Sequence, residues 1–324
     1  MKKLVLAALA IGAMAACTKS NVQYEQPGEI SLQPVTQKAT KAAIPSTSYP
    51  TSSSFNVWAW WGADKEDDII VDYTYYKPYI EKGKFQYKDD NTWRGSPTAY
   101  YWPTTGYLVF AGYSPSDAVG EFAYDLNPAP QLTISEYKQT DGVDLMWFDV
   151  TTNSYNHERS TVPAEFKHAL SWLDFKMKLK DGSPSNWVIT KVELKEIHTE
   201  GKATIDKGSA PVWVEEGEHT TLMLYDNGET GYTVGSTTQT HPVIDALIIP
   251  QPATSVCITY NLKGTGDNVL KDQTVTLPLT AGTDDGDTWK PGKHYVYTIT
   301  FGANEIFISP TVAPWGEEIE ITIE

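Results

Sequence analysis

Beyond residue 28 the chain consists of short runs in which apolar and polar positions alternate with a period of two. FNVWAWW (55–61) is the first strong run. IIVDYTYY (69–76), KFQYK (84–88), TAYYW (98–102), YLVFAGY (107–113) and DLMWFDV (144–150) follow it. Clusters of glycine, asparagine, aspartate and proline separate them, so each run is predicted as a strand bounded by turns. In FKHALSWLDFKMKLK (166–180) the second half alternates cleanly. Phe175, Met177 and Leu179 share one face, and Lys176, Lys178 and Lys180 share the other, the pattern of a half-buried strand. The stretch from Ala169 to Leu173 is ambiguous between strand and helical turn. The second half of the chain continues in the same way. Its runs are WVITKVELKEI (187–197), PVWV (211–214), HTTLMLY (219–225), GYTV (231–234), VIDALII (243–249), SVCITYNL (255–262), QTVTLPL (273–279), HYVYTITF (294–301) and EIFIS (305–309). The last run, EEIEITIE (317–324), sets Ile319, Ile321 and Ile323 on one face against glutamates.

No helical period is sustained after residue 28, and strands do not alternate with helices. The prediction is therefore an all-β protein of two antiparallel β-sandwich domains. The turn formers of DGSPSN (181–186) place the boundary there, giving domains at 29–183 and 184–324. FNVWAWW is apolar on both faces: Phe55, Val57, Ala59 and Trp61 on one, Trp58 and Trp60 on the other. Such a strand is either central with its outer side covered, or part of an interface that another chain fills.

The first residues follow different rules. Lys2 and Lys3 precede an uncharged apolar run from Leu4 to Ala16, too short for a membrane span and suited to a signal peptide (1–16). Met14-Ala15-Ala16-Cys17 looks like a lipobox, in which the Cys17 thiol takes a diacylglycerol before cleavage. Residues 17–28 read as a polar tether. Glu29–Val35 is a short first strand, and QKATKAAIPSTSYPTSSS (37–54) is an exposed loop whose basic residues are Lys38 and Lys41. Loops of this kind are where proteases cut.

Charge narrows the partners. The chain has 25 basic and 41 acidic residues, a formal charge of −16. Loss of Lys2 and Lys3 with the signal makes that −18. Such a surface repels nucleic acid and anionic lipid, so membrane attachment falls to the acyl chains of Cys17. With Cys17 acylated, Cys257 has no disulfide partner, and its setting in VCITY suggests a packed core thiol. Glycine-rich phosphate cradles, nucleophile elbows and paired metal-binding cysteines are absent. The six histidines stand apart in sequence with no metal-ligand spacing, although folding can bring some together. His168, among apolar neighbours, is expected to be structural and bonded to a backbone carbonyl. The acidic clusters at 64–68, 89–90 and 284–287 lack the pattern of a calcium loop and read as solvated turns. No catalytic residue, cofactor or metal ligand is expected. One binding feature stands out: Trp58, Trp60, Trp61, Tyr73, Tyr75, Tyr76, Trp93, Tyr100, Tyr101 and Trp102 crowd the first half. Were such rings exposed, they would stack on sugar faces and make the chain a monomeric surface lipoprotein that binds glycans or host matrix.

Several segments together resemble the fimbrillin-like lipoproteins of Bacteroidales, the subunits and anchors of surface fimbriae. They are the lipobox at Cys17, QKATKAA (37–43), YYWPTTGYLVFAGYSP (100–115), VPAEFKHALSWLDFKMKL (162–179) and TWKPGKHYVYTITFGANEIFISPTVAPW (288–315). The resemblance implies sandwiches of transthyretin-like topology and a place on the outer membrane and in a fimbrium. It also implies assembly by strand exchange. A surface protease cuts after Lys38 or Lys41, the strand Glu29–Val35 leaves, and a terminal strand of another subunit enters. The candidate donor here is Glu317–Glu324 with Ile319, Ile321 and Ile323, and the role implied is a tip or accessory subunit. Other fimbrial subunits, membrane lipid through Cys17, and a host or bacterial surface ligand are the partners that follow.

Overall fold

Alternation builds both halves of the molecule, and the places where it fails mark the corners. The computed structural model describes residues 28–36, 49–63, 73–140, 142–151, 155–158, 161–183, 186–228, 230–237, 242–264, 268–282, 287–302 and 306–315. The first half forms β1 (Ser31–Thr36), β2 (Ser54–Gly62), β3 (Lys77–Lys88), β4 (Thr92–Gly95), β5 (Tyr107–Ser114), β6 (Glu121–Asp125), β7 (Gln131–Lys138), β8 (Met146–Phe148) and β9 (Val162–His168). The second half forms β10 (Ser171–Leu179), β11 (Trp187–Ile197), β12 (Glu200–Asp206), β13 (Val212–Glu216), β14 (Thr220–Asp226), β15 (Tyr232–Thr233) and β16 (Asp245–Ile248). Then come β17 (Ser255–Lys263), β18 (Val269–Pro278), β19 (Lys293–Phe301) and β20 (Ile306–Pro314). The chain is all-β with several antiparallel sheets. Among the described residues two ladders are parallel, β1 with β9 and β10 with β19.

Seven strands close a barrel in the order β1-β4-β3-β2-β5-β8-β9. Its interior takes the inward residues of each strand, among them Phe55 and Val57 of β2, Leu108 and Phe110 of β5, and Val162, Ala164 and Phe166 of β9. The opposite faces of β2 and β5 carry Trp58, Trp60, Val109, Ala111 and Tyr113, which fill a second core. A four-stranded sheet, β13-β12-β7-β6, covers them. Tyr113 stacks on Phe122 of β6 at 3.9 Å, and Trp60 meets Tyr124 at 5.2 Å. So the double-faced apolar strand is central and covered from within the chain. Of the two readings offered for FNVWAWW the covered one holds, with Trp58 and Trp60 at 7% and 5% exposure.

The covering sheet takes β6 and β7 from the first half and β12 and β13 from the second, paired across β7 and β12. The remaining strands stack as two sheets, β16-β10-β19-β20 over β14-β11-β17-β18, with β15 pairing to β11. Phe175, Met177, Tyr295, Tyr297 and Ile299 of one sheet face Ile189, Val192, Leu194, Val256 and Ile258 of the other.

Strand pairing shifts several expectations. β10 precedes the 181–186 turn yet pairs with β16 and β19, so the change of sheet falls at Ala169 and Leu170. These two residues form the corner between β9 and β10, and no helical turn forms there. Tyr73–Tyr75, expected in a strand, is a 3-10 turn closed by the Tyr76 N–H on the Tyr73 carbonyl. At residues 98–102 there is only an isolated bridge, Glu29 to Tyr101, flanked by prolines at 97 and 103 that withhold donors. β6 and β7 were not evident in the pattern. His168 bonds a carboxylate rather than a carbonyl: its Nδ1 is 2.8 Å from Asp144 Oδ2, and its ring stacks on Trp315 at 4.0 Å. Cys257 is half-exposed on the outer face of β17, because Val256 and Ile258 hold the inward positions of that strand.

At the same corner His294 stacks on Trp172 at 3.6 Å. Burial first, and then Lys176, push its pKa down from 6.5 to about 4. Asp174, 3.8 Å away, lies between His294 and Lys176 and is shared with the lysine. The folded state therefore stays unprotonated at His294 down to about pH 4, whereas the unfolded chain takes up a proton below about 6.5. Stability from this group is present above 6.5 and is lost as pH falls towards 4. Between pH 7 and pH 5, urea unfolding is expected to show the wild type losing about 2 kcal/mol more than His294→Phe. Equal losses would remove His294 as the cause.

Candidate functional site: the first strand and the seam it closes

β1 holds the barrel shut. Its sequence SLQPVT alternates so that Leu32 and Pro34, with Ile30 just ahead, point inward, while Gln33 and Val35 face solvent. The strand lies between β4 and β9. It runs parallel to β9 from Leu32 opposite Val162 to Thr36 opposite Phe166, and antiparallel to β4 through Ser31 and Leu32. Ahead of it the Ile30 N–H donates to the Tyr100 carbonyl at 2.8 Å, and Gly28 accepts from the Trp102 N–H at 3.0 Å. Glu29 approaches Arg94 at 3.7 Å, and Arg94 also pairs with Asp90.

The main-chain ladder at this seam is short on the β4 side. Pro34 lies in β1 and Pro163 in β9, at adjacent register positions. In a parallel ladder of this register the bonds run through Gln33 and Val35 of β1 and through Val162, Ala164 and Phe166 of β9, so both prolines stand where their nitrogens face away from the ladder. The pairing with β4 covers two residues, against eight for β10 on β19. Side-chain burial adds to the five-pair ladder on β9 in holding β1. Ile30 and Leu32 are both 0% exposed, and each such side chain contributes about 1.5–3 kcal/mol when buried.

An aromatic cluster forms the wall behind the strand. Tyr49 stacks on Phe166 at 5.5 Å and meets Trp93 and Phe55 edge-on, each at 5.6 Å. Its hydroxyl lies 2.6 Å from Ser114 Oγ and donates to the Ser54 carbonyl at 3.2 Å. Burial pushes this phenol far above its ordinary pKa. Tyr49 was expected within an exposed loop. Instead it is 2% exposed and pins the chain that returns from β1 into β2. Both ends of the 37–48 connection are therefore fixed on the barrel.

The named sequence positions divide as follows. Cys17, Lys38, Lys41, Ile319, Ile321 and Ile323 lie outside the described residues, as do the acidic residues at 64–68. The predicted first strand is present, at Ser31–Thr36 with the Glu29 bridge ahead of it. Of the ten rings that suggested a sugar platform, Tyr75 and Tyr101 are exposed, at 76% and 54%. Every tryptophan of the chain is buried or half-buried. Among the described residues no group of three or more histidine, cysteine, aspartate or glutamate side chains is placed to hold a metal. No helix among them is long and apolar enough to cross a membrane. Sequence reasoning missed Tyr49 and Trp93 as members of the core behind the seam, because their packing depends on barrel closure.

A family model described as fimbrillin-like matches residues 40–315. Among solved structures, a proposed cell adhesion protein from Bacteroides uniformis is similar over 89% of this chain and 99% of its own, with TM-score 0.54 and 16% identity. A fimbrial protein from Bacteroides vulgatus matches over 89% and 100%, with TM-score 0.53 and 14% identity. A proposed cell adhesion protein from Bacteroides ovatus matches over 90% and 99%, with TM-score 0.51 and 16% identity. At these identities the likeness speaks to the fold. No curated protein matches the chain.

Leu32→Ala is expected to lower stability by about 2–5 kcal/mol, since it opens a cavity against Trp93 and the β9 side chains. Gln33→Ala, on the solvent face of the same strand, is expected to stay within about 0.5 kcal/mol. Chemical unfolding of the two variants checks this, and equal effects would mean that β1 is not seated as described.

Proposed function

The chain belongs to the fimbrillin-like family, and on that premise we propose that it is a structural subunit of a cell-surface fimbria that assembles by strand exchange. The observation that carries this reading is β1: a buried, barrel-closing strand that pairs with β9 over five positions and with β4 over only two. Removal of that strand bares an apolar slot bounded by β4 and β9, each with an unpaired edge. A slot of this kind is what strand addition uses, with main-chain bonds giving affinity and alternate side chains giving register.

On the proposed route Cys17 carries lipid that holds the precursor at the outer membrane. A protease cuts after Lys38 or Lys41, β1 departs with everything upstream, and another subunit's terminal strand takes its place. The inward positions of β1, Ile30, Leu32 and Pro34, are spaced two residues apart. Ile319, Ile321 and Ile323 have the same spacing and make Glu317–Glu324 this chain's own candidate donor. The role is mechanical and needs no catalytic group. Burial of the tryptophans weighs against the monomeric glycan binder.

Two measurements test the reading. Treatment of the purified mature chain with a lysine-specific protease is expected to yield polymers on size-exclusion chromatography. Monomers that persist after loss of residues 17–41 would sink strand exchange for this subunit. Separately, Cys17→Ala is expected to release the precursor from the membrane fraction, and continued retention would refute lipid attachment at that position.

A further inference from the structure

Two histidines that the sequence keeps twenty-one positions apart meet at the end of one ladder. β11 and β14 are antiparallel with Ile197 opposite Thr220. One step beyond that last pair, His198 and His219 come together just past the ends of the two strands. The ring centroids are 4.2 Å apart, edge to face at 77°.

Each ring has an oxygen at its Nδ1. His198 Nδ1 lies 3.2 Å from the Glu216 carbonyl oxygen, which can only accept, so Nδ1 carries the proton. His219 Nδ1 lies 3.3 Å from the Glu196 carboxylate, which also calls for a donor. A neutral imidazole protonated at Nδ1 carries its lone pair on Nε2. In each ring, then, the lone pair is on Nε2 and an acceptor stands at Nδ1, the support that ligand histidines receive in metal sites.

The mounting is firm on one side and open on the other. Gln251, 2% exposed, accepts from the His198 N–H at 2.8 Å and donates to the His198 carbonyl at 2.9 Å. Glu196 stands at a β-bulge with φ of 53°, a conformation unfavourable for a residue with a side chain. The His219 side chain is 54% exposed, so an ion reaches the pair from solvent. Glu196, Glu216 and Glu218 lie beside the two histidines along the chain or in contact, on a protein of formal charge −16, which raises the local concentration of cations.

We propose that His198 and His219 form a two-imidazole site for a divalent transition-metal ion of the copper or zinc class, with water completing the coordination. Imidazole nitrogen suits these borderline metals, whereas calcium and magnesium favour oxygen donors. With two protein ligands the site stays open, unlike the closed four-ligand sites that fold around zinc. The site stands apart from the β1 seam and does not depend on strand exchange.

Titration of the purified full chain with copper(II) or zinc(II) chloride, followed by calorimetry and by copper electron paramagnetic resonance, tests it. One ion per chain is expected, with nitrogen coupling from two imidazoles and no competition from calcium. His219→Ala and His198→Gln are each expected to weaken binding roughly ten-fold or more. His157→Ala, an exposed histidine elsewhere, is expected to leave it unchanged. His219 is exposed enough that its loss leaves the fold intact, which an unchanged thermal midpoint verifies. No binding by wild type at roughly 100 μM ion, or binding indifferent to His219→Ala, would overturn the proposal.

Discussion

A sheet rolled into a barrel is free of open edges only while every strand is in place. In the first half of this protein that condition rests on β1, which joins β4 on one side and β9 on the other. Its removal would leave two edges unpaired and the Tyr49, Trp93 and Phe166 rings facing water. The strand is held by its inward side chains and by a five-pair ladder to β9, while its pairing with β4 ends at Leu32. Such a joint resists opening while water is excluded. It also has fewer bonds to break once the chain is free to move.

The barrel's other side is built against opening. In the ring order, β2 and β5 lie diametrically across from β1. Their outward tryptophans and tyrosines are packed under β6, β7 and β12. Because β12 comes from the second half and pairs with β7 from the first, that cover is also the splice between the halves. The aromatic residues of the early sequence therefore divide between the barrel interior and the core that fixes one wall of the barrel and joins it to the second half. Rings used in this way are not available to bind sugars.

Much of this was legible in the sequence, for local reasons. Strict alternation in 173–179 and 294–301 reveals strands because each lies against a single core on one face. The double-faced pattern of 55–61 revealed a covered or shared strand, and only packing decided between these. What stayed hidden were pairings. EFAYD and QLTISEYK sit among prolines, aspartates and polar residues, so their short alternation is diluted; their burial becomes plain only beneath Trp58 and Trp60. DGSPSN looks like a boundary because turn formers report a tight turn, and a turn does not say whether its flanking strands share a domain. His198 and His219 are neighbours only through the register of β11 and β14, which no local spacing encodes. The acylation, cleavage and donor positions rest on segments whose patterns are clear but whose placement lies outside the described residues.

Covalent order adds a last constraint on the proposed route. Cys17 and β1 both precede Lys38 and Lys41, so a cut there separates the lipid and the closing strand from the barrel in one event. Until then the seam is occupied by a strand tied to its own chain, at an effective concentration that no separate subunit approaches. After the cut β1 is held by noncovalent contacts alone, and a competing strand meets it on equal terms. An empty seam would expose the pockets of Ile30 and Leu32 together, about 3–6 kcal/mol of lost burial, before any replacement arrived. Exchange is easier if the incoming strand enters at one end and displaces β1 pair by pair. The C-terminal end of β1 suits that entry: beyond Leu32 it has no partner on β4, and Val35 already faces solvent.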